Sequence, residues 1–178
     1  MAMDSETQKL VAAAEAAIGK YRYTEAGRCF EAAAAWEPEP SGKVHLLERA
    51  AGAFDETRSV EDAGRCYQAA AALLEGTARA ECLMTWWRMI ILEIAGCLYD
   101  CGYEWRGDTS DEHASDGAFY SKQVERYREQ AEAVLCDALA TGGVRRSKVL
   151  GQARAACRER EKDGWGAAIC WSIVEKAT

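Results

Sequence analysis

The chain has 178 residues, enough to bury one core without staples. Two prolines, abundant alanine and few β-branched runs predict an all-helical protein. The net charge of −7 argues against a general nucleic-acid binder, whose affinity comes from neutralising phosphates.

The charge is uneven. Residues 1–143 carry 14 basic and 25 acidic groups, and residues 144–163 carry 7 basic and 3 acidic ones. The start, MAMDSETQKL, has no basic n-region, and Glu15 interrupts the apolar stretch from Leu10, so no secretory leader is expected. The most apolar run, WWRMIILEIAGCLY, contains Arg88 and Glu93 and reads as too short and too charged for a membrane span. A cytoplasmic location is therefore expected, with the eight cysteines as reduced thiols.

In chain order, a first helix is predicted over about Ser5–Lys20. Leu10, Ala13, Ala14, Ala17 and Ile18 share one face, and Ser5 serves as N-cap. A second starts near Thr24 and stops before Pro38. The third covers about Lys43–Glu56, with Leu46, Leu47, Ala50, Ala51 and Phe54 apolar. Ser-Val-Glu-Asp at Ser59 opens a fourth as a capping-box variant, and this helix ends near Gly76.

Thr77 caps a long fifth helix to about Cys101. A polar loop, GYEWRGDTSDEHASDG, follows, and Asp116 caps a sixth helix that ends at Gly142-Gly143. A seventh covers about Val144–Glu161. A short eighth covers about Trp165–Lys176, with Trp165, Ile169 and Ile173 stacked four residues apart.

The phrase AGRCFEAAAAW at Ala26–Trp36 recurs as AGRCYQAAAAL at Ala63–Leu73. The copies are 37 residues apart and identical at 8 of 11 positions. A period of 37 lies in the range of helical repeats that stack into solenoids. On a helix, Ala26, Cys29, Phe30 and Ala33 form one stripe, as do Ala63, Cys66, Tyr67 and Ala70. The alanines let helices approach, the aromatic fills the groove, and the cysteines act as small core residues. Arg28 and Arg65 are expected off the stripe.

These residues resemble the tetratricopeptide repeat (TPR). Leu10, Ala13, Ala14, Ala17, Ala26, Phe30, Ala33 and Pro38 match its positions in the first unit. Leu47, Ala50, Ala51, Phe54, Ala63, Tyr67, Ala70 and Glu75 match them in the second. The second half of the pattern matches well; in the first half leucine replaces tryptophan and alanine replaces glycine. In that departure the chain is more similar to the TPR-like repeats of soluble NSF attachment proteins (SNAPs). The resemblance covers about residues 5–76. It implies a right-handed α-α superhelix of about seven to eight helices in a single domain over 1–178. Two TPR-like units fill 5–76, an irregular third unit 77–141 and a C-terminal helical cap 142–178. It also implies a scaffold that binds other proteins.

Among candidates for chemistry, Cys97 and Cys101 lie four apart and could meet His113, but they lack the paired C-x2-C spacing of zinc sites. Cys82, Cys136, Cys157 and Cys170 fall near apolar stripes and read as core. The acidic loop from Asp108 does not match a calcium loop. His45 and His113 lie in no catalytic motif, so neither catalytic residues nor a cofactor or metal are assigned.

Candidate partner contacts are of two kinds. Arg145, Arg146 and Lys148 cluster at a helix start, where the dipole disfavours cations, and Arg154, Arg158 and Lys162 continue as a basic stripe. Solvent, an acidic protein surface and nucleic-acid phosphates are the three readings of that stretch. Trp86 and Trp87, with Trp105 nearby, are adjacent and so point about 100° apart on a helix. One of them is read either as a half-exposed interface anchor or as a link between helix layers in one core. The sequence thus predicts a non-enzymatic protein–protein interaction scaffold, adaptor or complex subunit. A nucleic-acid-associated subunit and a thiol redox or metal module are the alternatives.

Overall fold

The computed structural model describes the backbone of residues 5–104, 111–163 and 166–178, and their side chains outside 100–120 and 163. The protein is all-α, with eight helices among the described residues. It forms two compact units, divided between Trp86 and Trp87.

The first unit contains α1 (Ser5–Ile18), α2 (Tyr23–Trp36), α3 (Pro40–Asp55), α4 (Val60–Ala72) and the start of α5 (Gly76–Glu104). The first four pack in sequence, α1 on α2, α2 on α3 and α3 on α4. Pro40 takes the first helical position of α3, where its missing N–H costs nothing, so the helix starts three residues before the expected Lys43. The core is made of small residues and rings: Ala14, Ala26, Ala33, Ala50, Ala63 and Ala70 around buried Phe30, Phe54 and Tyr67.

The 37-residue period is written into the backbone as well. Tyr21 and Arg58, 37 apart, both adopt the left-handed conformation, at φ 58° and 53°. The N–H groups of Tyr21 and Arg22 donate to Ile18 O and Ala17 O, both at 2.9 Å. Those of Arg58 and Ser59 donate to Asp55 O and Phe54 O at 2.8 and 2.9 Å. Both are Schellman terminations, and neither uses the usual glycine. The capping box expected at Ser59 forms differently: its hydroxyl donates to Asp62 Oδ2 at 3.2 Å and makes no cap to a helix N–H.

The second unit holds the rest of α5, α6 (Asp111–Ala140), α7 (Arg146–Asp163) and α8 (Ala167–Lys176). The last three pack together around Ala131, Leu135, Val149, Cys157, Cys170 and Ile173. Gly166 begins α8 at φ 73°, with its missing side chain 3.4 Å from Ala95. That close approach and that φ together require glycine. The Lys176 ammonium pairs with Glu132, and Trp171 Nε1 donates to Glu161 Oε1 at 2.8 Å.

Parts of the stretch expected as a loop after Cys101 are helical. α5 continues through Glu104 and α6 already begins at Asp111, so Asp116 lies inside a helix and is not its cap. Trp105 and Trp165 lie outside the described residues. α5 over Gly76–Tyr99 has the length and mean hydropathy of a membrane-crossing helix, yet 56% of that window is buried within the protein, as in a core helix.

Candidate functional site

The repeated phrase has two faces. On the inner face, the glycine of each copy is a notch for a ring. A Cβ on Gly27 would lie 2.8 Å from Cε1 and Cζ of Phe54, and one on Gly64 would lie 3.0 Å from Trp86 Nε1. Phe30 and Tyr67 are buried, as the packing reading of the phrase requires. Above Phe30 stacks the Arg49 guanidinium, 4.1 Å from the ring centroid, and the same group donates to Glu15 Oε1 at 3.1 Å. Arg49 therefore joins α1, α2 and α3.

Arg65 of the second copy reaches back to the first. Its Nε and Nη2 each donate to the Glu31 carboxylate at 3.0 Å, a bidentate pair, while Nη1 donates to Asp62 Oδ1 at 2.7 Å. The hydrogen bond from Arg65 holds the Asp62 carboxyl below the usual range.

On the outer face, Arg28, Ala32, Ala35 and Trp36 of α2 are exposed, and so are their counterparts Arg65, Ala69 and Ala72 of α4 and Leu73 at its C-cap. Trp36 is 59% exposed and Leu73 41%. A solvent-facing helix stripe is ordinarily charged; here both copies end in a large apolar residue at the same position. Sequence reasoning missed this face because it placed the functional weight on Trp86 and Trp87. The signal was the final position of the phrase, Trp36 aligned with Leu73.

The expected aromatic anchor is corrected. Trp86 is 8% exposed and Trp87 fully buried, so neither is a half-exposed contact. Both indole N–H groups lack a hydrogen-bond acceptor among the described residues. The basic residues Arg145, Arg146, Lys148, Arg154 and Arg158 are all exposed. Arg146 is partly engaged inside the unit, because its guanidinium donates to Ala177 O and caps the end of α8. Arg154, Arg158 and Lys162 follow one exposed line along α7.

The thiols differ more than their stripes suggested. Cys66 and Cys82 are buried, and burial pushes their thiols up to about 12 and about 11. The Cys82 thiol lies 3.7 Å from Tyr67 O, to which it donates. Cys157 and Cys170 are fully buried and share a hydrogen bond between α7 and α8. That bond and burial hold the Cys170 thiol well above its usual range. Cys136, expected in the core, is exposed, and Cys29 is only half-buried. No cluster of three or more metal-ligating side chains occurs among the described residues; the side chains of Cys101 and His113 lie outside them. No family model matches this chain, and none of the curated proteins or solved structures compared with it is significantly similar.

Proposed function

We propose that this protein is a non-enzymatic helical scaffold that binds another protein within a larger, cytoplasmic assembly. Its first unit is read as two stacked TPR-like hairpins at the start of a right-handed superhelix. One observation carries this reading: the 37-residue period recurs in the sequence, in the left-handed turns at Tyr21 and Arg58, and in the faces that α2 and α4 present. Repeats of this kind expose extended helix surfaces suited to docking a partner segment. Affinity purification of the tagged chain from its host, after mild cross-linking, is expected to yield one stoichiometric protein partner. Recovery of the chain alone would sink the scaffold reading.

A second reading has a specific observation behind it. Arg145, Lys148, Arg154 and Arg158 are exposed along one stretch whose local charge opposes that of the rest of the chain. If they contact phosphates, binding of RNA or DNA falls steeply between low and moderate salt. Absence of binding at low salt removes this reading.

A further inference from the structure

Two free thiols of the second unit meet inside its core. Cys157 of α7 and Cys170 of α8 are fully buried, and Cys170 donates a hydrogen bond to Cys157 Sγ. A second contact repeats the match one turn further along α7. Glu161, four residues after Cys157, accepts at 2.8 Å from Nε1 of Trp171, the residue after Cys170. Together the two contacts fix how α8 sits on α7, so the sulfurs face each other each time the helices dock. Neither thiol belongs to the repeated phrase, and the scaffold reading uses neither.

The helix that covers them is built to open. α8 has ten residues, and its Gly166 N-cap makes no side-chain hydrogen bond to the first turn. A helix this short is marginal on its own. Cys170, Ile173 and Val174 form its buried face. Its polar ties are solvent-exposed: Trp171 to Glu161, Lys176 to Glu132, and Arg146 to Ala177 O. A short element held in this way opens locally at lower cost than the whole unit unfolds. Opening α8 uncovers both cysteines, while α6 still holds α7. Thirteen positions separate Cys157 from Cys170, so a disulfide between them closes a short loop and holds α8 down.

We propose that Cys157 and Cys170 form a redox switch, in which a small-molecule disulfide oxidises them to a disulfide that locks α8 onto α7, and thiols reverse the lock. In the opened unit the Cys157 thiolate attacks one sulfur of the small disulfide R–S–S–R. A mixed disulfide forms, and the S–S bond of the reagent breaks to release R–S⁻. As α8 redocks, it carries Cys170 onto the mixed disulfide. The Cys170 thiol loses its proton, its sulfur bonds to the Cys157 sulfur, and a second R–S⁻ leaves. The protein gives up two electrons and two protons, and R–S–S–R becomes two R–SH. The switch does not rest on the scaffold reading.

The test incubates the full-length protein with oxidised glutathione, alkylates the remaining thiols and maps every cysteine by mass spectrometry after digestion. Peptides joined through Cys157 and Cys170 are expected, and dithiothreitol is expected to restore both thiols. The same result is expected with Cys136→Ser, which removes the exposed thiol. In the oxidised protein, amide hydrogen exchange over Ala167–Lys176 is expected to slow by about tenfold or more, and the melting temperature to rise by about 5 °C. Trp171→Phe keeps an aromatic ring but loses the bond to Glu161, so it is expected to speed oxidation by about threefold. Cys170→Ala is expected to stop at a mixed disulfide on Cys157. Circular dichroism verifies that each variant folds, and the mapping of the wild-type chain decides the pairing whether or not it does. Recovery of Cys157 and Cys170 as thiols, joining of a different pair, or glutathione on each of them with no bond between them overturns the proposal. So does a Cys157–Cys170 disulfide that leaves exchange of α8 unchanged, since the bond then locks nothing. An oxidation rate indifferent to Trp171→Phe overturns it as well, because α8 is then not what opens.

Discussion

At the scale of single residues, glycine decides more than its small size suggests. Gly27 and Gly52 are both helical, but only Gly27 lies under a ring. Gly27→Ala drives a methyl into buried Phe54, and the expected cost is about 1–3 kcal/mol of overpacking. Gly52→Ala meets nothing within 4 Å and gains helix propensity, so it stabilises by about 0.5–1 kcal/mol. Urea unfolding of the two variants checks the opposite signs. Tyr21 gives a third case. It is exposed and left-handed without being glycine, so Tyr21→Gly relieves about 1 kcal/mol of backbone strain and raises the melting temperature. Of these residues, the stripe Ala26, Phe30, Ala33 was legible from periodicity, because burial follows directly from helical spacing. The role of Gly27 was not, since its ring comes from Phe54, 27 positions along the chain and on another helix.

At the scale of elements, polar clamps link helices that alanine alone holds only weakly. Arg65 joins α4 to α2, and Arg49 joins α3 to α1 and α2. Both clamps are partly exposed, so each is worth about 1 kcal/mol or less. The Arg65 clamp has a pH signature. Asp62 is held below its ordinary range, so its contribution is present above the unfolded carboxyl value of about 3.9 and is lost as pH falls through the lower folded value. Arg65→Ala is expected to move the Asp62 titration upward in NMR. The stability difference from wild type, present at pH 7, then vanishes in acid. The helices themselves were mostly legible: caps, prolines and paired glycines put boundaries within a few residues for α2, α4, α7 and α8. The region after Cys101 was not. Its polar, glycine-bearing composition is that of a loop, yet α6 begins at Asp111, since a polar run is equally compatible with one face of a helix. Arg65 was expected only to cover the helix surface; its partner Glu31 lies 34 residues away, beyond the reach of any local pattern.

At the scale of the whole molecule, the period of 37 and the scarcity of proline made an all-α chain legible, whereas the division at Trp86 and Trp87 was not, because it falls inside one continuous helix, α5. The thiols give a molecule-wide test of burial. Among the described cysteines, Cys136 is exposed and is expected to react with a thiol reagent first, followed by half-buried Cys29 and Cys97. Cys66 and Cys82 need both exposure and ionisation, and their raised values keep them silent at pH 8 until the protein unfolds. Eight thiols titrated in denaturant, with a slow native phase that includes Cys66, Cys82, Cys157 and Cys170, is the expected result. A mass spectrum of the labelled protein assigns the fast sites.

The two glycine notches are closed from different heights. Phe54, over Gly27, is the fifteenth residue of α3, whereas Trp86, over Gly64, is the eleventh of α5. The difference of four residues is about one helical turn. Here the second notch is closed one turn early, and α5 continues for eighteen further residues in place of the short helix that a new copy would need. The ring over the second notch thus sits one turn out of step with the ring over the first, and it is the last residue of the first compact unit.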